Sequence, residues 1–233
     1  MMNQEKTVSE AIQYRRSVRI YDAEKAIDKN IVKKCIQQAT LAPNSSNMQL
    51  WEFYHITSKD LIAEIAPFCF NQNAAKTAQQ LVVFVTRKDL WKQRAKANLN
   101  FIDANFGANN PKSEQSNREK VARKYYSKII PFAYADFLGV FGFFKYLMMF
   151  VIGIFKPIYR EVRSSDMRIV AHKTCGLAAQ NFMMSMAAQG YDTCPMEGFD
   201  SKKLKKILNL PKTAEISMVI GCGIRMPEGI YGE

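Results

Sequence analysis

One apolar segment limits the folds open to this chain more than any other feature. Residues 138–155 (LGVFGFFKYLMMFVIGIF) carry a single charge, Lys145, and 18 residues is the lower limit for a helix that crosses a bilayer core of about 30 Å. Three glycines weaken such a helix, and a single span would divide the flanking elements between two compartments. We therefore expect a buried helix or helical hairpin over a ligand pocket or a subunit interface, with a peripheral membrane-contacting lid as the alternative.

The charge balance narrows the partners without choosing among them. Lys and Arg total 33 against 21 Asp and Glu, a net charge of +12. Such an excess favours anionic partners, which include nucleotides, phosphates, nucleic acid and acidic lipid. Because 48% of the 233 residues are hydrophobic, the chain can bury a core and is not expected to be disordered.

Cysteine and histidine usage argues against several kinds of site. The five cysteines lie far apart without a C-x-x-C pair, which predicts no disulfide framework and no metal site. Only two histidines are present, so Ser-His-Asp catalysis has little support. The first ten residues lack the apolar core of a signal peptide, and we expect a cytoplasmic protein.

Local patterns predict interspersed helices and strands, an α+β class without internal repeats. Thr7 to Glu10 has capping-box spacing, and the buried run 81–85 is typical of a strand covered on both faces. The other predicted strands are 51–56 and 214–221. The predicted helices are 7–15, a helix that begins after Asp28 and ends before Pro43, 60–66, 167–189 and 201–208, and Gly190 is expected just beyond the end of 167–189. Two further helices are predicted within 88–130, separated by a turn at 107–111. Residues 192–200 are predicted to form a loop.

A basic cluster follows the first helix. Arg15, Arg16 and Arg19, with Ser17 between them, offer charge-assisted donors and a hydroxyl that suit a phosphate monoester. Taken alone, the cluster is more typical of a solvated basic turn.

Four motifs together resemble one family. RRSVR after a short helix, APNSSNMQLWEF about 25 residues later, CPMEGFD after a long helix and GCGIR after the last strand are similar to the FMN-dependent nitroreductase family, in its order. The similarity runs from about Ala11 to Arg225 and is lowest over 88–163. It implies a three-layer α-β-α fold with a mixed, mainly antiparallel sheet and FMN at a homodimer interface. We interpret residues 1–233 as a single domain, with 131–160 as an apolar helical lid or interface insertion.

The resemblance also implies which residues contact FMN. The phosphate and ribityl groups would be bound by Arg15, Arg16 and Ser17, with Gly223 and Arg225 as terminal phosphate contacts, while Arg19 would reach the N1/O2 edge of the flavin. The second subunit would contribute Pro43, Asn44, Ser45 and Asn47. Asn71 and Gln72, or Asn73 in another register, would contact the pyrimidine edge, and the turn Pro195, Met196, Glu197 and Gly198 would lie against the ring and donate a backbone N–H to N5.

Two positions depart from the family pattern. Asn44 stands where serine is usual, and Leu50 replaces the proline that normally precedes the tryptophan.

The implied activity is an oxidoreductase in which NADH or NADPH reduces FMN and a nitroaromatic, quinone or similar flat acceptor reoxidises it, by a ping-pong mechanism. No catalytic side chain and no metal ligand is predicted. Relatives that fragment flavin or remove halogens share the FMN site and differ in the lid. Two other classes stay open: a non-enzymatic, membrane-associated flavin carrier, suggested by 138–155, and a nucleic-acid-binding protein, suggested only by the charge, since no nucleic-acid motif is present.

Overall fold

The computed structural model describes residues 5–106, 116–136 and 139–231. Contacts divide the chain into two compact units. Unit 1 comprises the chain up to Pro43, Trp51–Arg87 and the chain from Thr174; unit 2 comprises Asn44–Leu50 and Lys88–Lys173. The single-domain interpretation stays a prediction.

A four-stranded antiparallel sheet forms the centre of unit 1. Its strands are β1 (Trp51–Ile56), β2 (Gln80–Thr86), β3 (Asp192–Met196) and β4 (Glu215–Gly223), in the order β1-β2-β4-β3. An isolated parallel bridge joins Ser17 to Thr193 at the β3 edge, so the pairing is mixed but mainly antiparallel. The described helices are α1 (Val8–Tyr14), α2 (Lys29–Ala39), α3 (Lys59–Ile65), α4 (Asn73–Lys76), α5 (Trp91–Phe106), α6 (Asn117–Lys124), α7 (Ile130–Tyr134), α8 (Val140–Phe155), α9 (Ser164–Ala188) and α10 (Ser201–Ile207).

Side chains of β2 alternate between two cores. Val83 and its neighbours of the same face pack with Ile65 of α3 and Leu204 of α10, whereas Phe84 packs on the opposite face with Val32 of α2 and Phe182 of α9. All seven residues of β2 are buried, which confirms the strand predicted to be covered on both faces. Helices on both sides of one sheet give the predicted three-layer α-β-α arrangement.

The predicted loop over 192–200 is half wrong, because Asp192–Met196 forms β3. The proline and glycine of CPMEGFD favour turns, and the sequence pattern therefore predicted a loop where the strand lies. Pro195 is tolerated because β3 lies at the edge of the sheet, where one side of the strand makes no ladder. The pairing of Asp192 with Gly223 is long-range and leaves no local pattern.

Several local signals are confirmed at their residues. Thr7 and Glu10 form the capping box, with the Glu10 carboxylate accepting from Thr7 N at 2.7 Å. Gly190, with φ +79°, ends α9 as predicted, although α9 begins at Ser164, three residues before the predicted start. The turn predicted at 107–111 lies outside the described residues.

Unit 2 is helical around a small core of Met48, Leu50, Ala95 and Ile130. A π-helical turn over Tyr125–Ile129 joins α6 to α7. The apolar segment forms one helix, α8, and Leu138 at its start is outside the described residues. In none of the described stretches is a helix long and apolar enough to cross a membrane.

In the single chain the apolar segment is mostly exposed, and its burial at a subunit interface stays a prediction. Only Gly142, Lys145 and Met149 of α8 are buried, one stripe at helical spacing. Nearly all of the other side chains are exposed, because the helix packs through this stripe alone.

Candidate functional site

The basic cluster continues from α1 to the free edge of β3. Val18 is fully buried, and its N–H donates to Thr193 O at 3.1 Å. This buried valine fixes the segment on the sheet. Arg16, Ser17 and Arg19 around it are therefore exposed, and Arg15 is half-buried.

The three arginines of this cluster keep their charge available. Arg16 Nη1 donates to the carbonyls of Gln13 and Arg15 at 2.7 and 2.8 Å, and Arg19 stacks 5.5 Å from the ring centroid of Tyr231. Among the described residues, no carboxylate forms an ion pair with Arg15, Arg16 or Arg19. The cluster is thus an unneutralised cationic patch.

The pKa of the Cys194 thiol in β3 is affected both by burial and by this patch. Burial raises the pKa of the Cys194 thiol, and the positive charges of Arg19 and Arg15 lower it in part. The two arginines therefore favour the thiolate form of Cys194, although burial outweighs them.

Arg225 is engaged within the protein. Its Nε donates to Asp192 Oδ1 at 2.9 Å, its Nη2 to Asp192 Oδ1 and to Tyr14 O, and its backbone N to Asp192 Oδ2 at 2.8 Å. Asp192 is 1% exposed, and the guanidinium lies 4.1 Å from the Tyr14 ring centroid. Among the described residues only Nη1 has no acceptor, so the two N–H groups of Nη1 are what remains for the predicted phosphate contact of Arg225.

Gly223 is explained by packing. A Cβ at this position would lie 2.7 Å from atoms of the Tyr21 ring, and Tyr21 OH donates to Gly221 O at 2.8 Å. The glycine lets the buried tyrosine lie flat on β4. This packing requires a glycine whether or not Gly223 contacts a phosphate.

A second set of donors follows β3. Gln72 Nε2 donates to Gly198 O at 2.7 Å and to Cys69 O at 3.0 Å, and Asp200 N donates to Phe68 O at 2.7 Å. These bonds hold the segment after Met196. The backbone amides of Glu197 and Gly198 are exposed and donate to no described residue, so both are free to bind a ligand acceptor.

The amide side chains near α4 differ in their availability. Both donors of Gln72 serve carbonyls of the protein, and Asn73 Nδ2 is 3.4 Å from Tyr231 OH. Asn71 is exposed in the left-handed region, with φ +53°. Asn71 therefore has the most available carboxamide of the three.

The loop predicted to come from the second subunit belongs, after Pro43, to unit 2. Asn44 Oδ1 accepts from Gln49 N at 2.9 Å, which closes the loop and explains an asparagine where serine is usual. Ser45 and Asn47 lie on its exposed 3-10 turn, and Leu50, in place of the usual proline, is buried in the core of unit 2. Exposed Pro43 is the last residue of its stretch of unit 1.

A cavity of about 250 Å³ lies beside this loop in unit 2. Asn47, Phe101, Ile102 and Tyr126 form part of its largely apolar lining. Tyr126 OH donates to Ser46 O at 3.0 Å, which couples the cavity wall to the loop. No pattern in the sequence predicts this cavity.

The residues of unit 1 fit an elongated anionic ligand such as FMN. Its β3 edge has the cationic patch paired at Thr193 and the two free amides after Met196. From Thr193 to Glu197 an extended chain covers roughly 13 Å. Charge-assisted donors at one end and neutral amides at the other match a phosphate and a ring that accepts hydrogen bonds.

Sequence reasoning missed the residues that hold this edge. Asp192 and Tyr14 contact Arg225, and Tyr231 contacts Arg19, yet none of the three lies in the basic cluster. An aspartate beside an apolar run is a weak signal, and its partner Arg225 is 33 residues away.

These features agree with a known family. A family model described as "Nitroreductase family" matches residues 12–224, so the chain belongs to the nitroreductase family. The family and the fold predicted from the four motifs are confirmed. Among curated relatives, the DrgA protein of Synechocystis sp. is 27% identical over 93% of this chain and 83% of its own length. The oxygen-insensitive NADPH nitroreductase of Helicobacter pylori is 25% identical over 92% of this chain and 85% of its own.

Solved structures show the same fold. An enone reductase of gut-bacterial fatty acid saturation has a TM-score of 0.72 at 18% identity, covering all of this chain and 94% of the other. An Exiguobacterium sibiricum protein assigned to the nitroreductases, solved in complex with FMN, has a TM-score of 0.67 at 21% identity, covering 100% and 95%.

Proposed function

We propose that this chain is an FMN-dependent oxidoreductase that takes a hydride from NADH or NADPH and passes it to a nitroaromatic, quinone or similar flat acceptor in a ping-pong reaction. The nitroreductase of Helicobacter pylori and the FMN complex from Exiguobacterium sibiricum support the class. The observation that carries the proposal is the unneutralised patch of Arg15, Arg16 and Arg19 at the β3 edge, followed by the free amides of Glu197 and Gly198.

Each group of this edge has a role in the proposal. Arg15, Arg16 and the Ser17 hydroxyl bind the phosphate and ribityl groups, because no carboxylate of the described residues neutralises either guanidinium group. When bound, FMN supplies hydride transfer through its N5 atom. Arg19 holds positive charge where negative charge develops on reduction, and the Glu197 or Gly198 amide donates to N5.

Gln72 acts as a positioning residue in this proposal. Its two hydrogen bonds, to Gly198 O and Cys69 O, hold the free amides at the end of β3. Asn71, with its exposed side chain, then makes the contact to the pyrimidine edge.

The proposal includes a homodimer in which Pro43, Asn44, Ser45 and Asn47 approach the flavin of the second copy. The cavity beside Asn47 is the proposed acceptor site. Its aromatic residues Phe101 and Tyr126 suit a flat ring. Light scattering would find a dimer; a monomer that retains FMN and turns over would contradict this part.

Absorbance and anaerobic reduction test the proposed activity. The purified protein should carry FMN, lose its flavin absorbance with NADH or NADPH, and regain it with a nitroaromatic or a quinone. Arg15→Met should retain less FMN after dialysis than Lys25→Met, a matched change of an exposed cation on a surface ion pair. A protein that does not take up FMN overturns the proposal, and so does bound FMN that neither nucleotide reduces; the latter result would favour a flavin carrier.

A further inference from the structure

The only charge of α8 points into the protein. Lys145 is 8% exposed, and its Nζ donates to the carbonyls of Phe132, Ala133 and Ala135 at 3.0, 3.1 and 2.8 Å. These carbonyls end α7, where a cation is favoured by the helix dipole. The lysine thus caps α7 and leaves the outer side of α8 uncharged.

The outer side of α8 is a continuous apolar surface. Large apolar side chains cover it, each at least 40% exposed: Val140, Phe141, Phe143, Phe144, Tyr146, Leu147, Met148, Phe150, Val151, Ile154 and Phe155. An exposed apolar surface of this extent marks an interaction site.

Cations flank this surface at the C-terminal end of α8. Lys156 is exposed, and Arg160 Nη2 donates to Gly153 O at 2.6 Å. Arg163 lies 5.0 Å from the Tyr146 ring centroid, nearer the middle of α8, and pairs with Asp166. Residues 88–173 contain 16 Lys and Arg against 7 Asp and Glu, a net +9 of the total +12. Lys156 and Arg160, the cations at the C-terminal end of α8, therefore suit an anionic partner.

We propose that α8 docks on an anionic lipid bilayer, with its axis along the membrane surface. Its 16 residues rise about 24 Å, less than a bilayer core of about 30 Å, so the helix lies in the interface with its aromatic side chains among the acyl chains. Lys156 and Arg160 contact the headgroups. A second copy is a poorer occupant of this surface, because its own α8 carries the same cations and offers Lys156 and Arg160 no opposite charge, whereas anionic lipid attracts both the cations and the apolar face.

Vesicle co-sedimentation tests this proposal, and it requires neither flavin nor turnover. The full chain should bind phosphatidylcholine vesicles that contain phosphatidylglycerol, and bind pure phosphatidylcholine vesicles much less. Lys156→Gln should weaken binding to the anionic vesicles about fivefold, the expected contribution of one basic residue near the surface.

A charge-matched pair of variants isolates the apolar face. Phe144→Glu with Phe155→Glu should weaken vesicle binding at least tenfold, whereas Val121→Glu with Leu41→Glu adds the same charge at positions 68% and 79% exposed and should bind more tightly than the α8 variant. Equal binding by the two variants would overturn the proposal. So would a wild-type chain that does not bind anionic vesicles, or an α8 variant whose only change is dissociation of a dimer in light scattering.

Discussion

Replacing Arg225 by methionine tests whether this arginine holds the fold, in contrast to Arg15, which we propose binds phosphate. The change keeps the aliphatic stem and removes the guanidinium, which leaves the Asp192 carboxylate, 1% exposed, with fewer donors. Arg15→Met is the comparison, because Arg15 has no carboxylate partner among the described residues.

The structure sets the expected size of the effect. Removing one partner of a buried ion pair costs about 3–5 kcal/mol, and the 24% exposure of the Arg225 side chain lowers this to roughly 2–4 kcal/mol. For a chain of 233 residues, the midpoint of thermal unfolding should fall by roughly 5–12 °C. Arg15→Met should change it by about 1 °C or less, as expected of a surface substitution.

Thermal unfolding must be followed on flavin-free protein, because a bound ligand would stabilise the two variants unequally. Arg225→Met with the unfolding midpoint of the wild type would refute the structural role of the pair. If Arg15→Met unfolded as early as Arg225→Met, the distinction between the two arginines would fail.

Three further predictions follow from the packing and the charges. Gly223→Ala should lower the free energy of unfolding by about 1–3 kcal/mol, because the added Cβ would lie 2.7 Å from the Tyr21 ring. Gly176→Ala in α9 should raise the free energy of unfolding by about 0.5–1 kcal/mol, because its Cβ would meet no atom within 4 Å and alanine favours a helix over glycine. Denaturant titration that gives both changes the same sign would contradict this. Arg19→Ala, saturated with FMN, should lower the two-electron potential by tens of millivolts in potentiometry, since ~30 mV corresponds to ~1.4 kcal/mol; an unchanged potential would place Arg19 away from the flavin ring. Burial raises the pKa of Cys35 to about 12, so the folded thiol stays neutral, and native protein at pH 8 should resist an alkylation that denatured protein undergoes. The stability that comes from this raised pKa is complete below pH ~8.5, where the unfolded thiol is also neutral, and falls as the pH rises above it. Rapid alkylation of native protein, detected by mass spectrometry, would contradict this.

Elements with a local cause were predictable from sequence. The capping box at Thr7, the buried run of β2 and Gly190 at the end of α9 each satisfy a local requirement of the backbone, and the structure has all three. β3 failed this test because its pairing with β4 comes from residues far along the chain. The exposure of α8 in the single chain has a related reason, since apolarity does not say which neighbour covers a helix.

The candidate site divides along a physical line that the motifs do not contain. Motif resemblance selects Arg15, Arg19, Gly223 and Arg225 alike, because it records which residues occur and not what they touch. In the structure, Arg225 donates to a buried carboxylate and Gly223 makes room for Tyr21, whereas Arg15 and Arg19 keep unpaired charge at the edge of β3. A donor already satisfied inside the protein gains little from a ligand, while an unpaired donor at the surface exchanges only water for it. We therefore expect the last motif to hold the β3 edge in place and the first motif to supply the groups with which that edge binds its ligand.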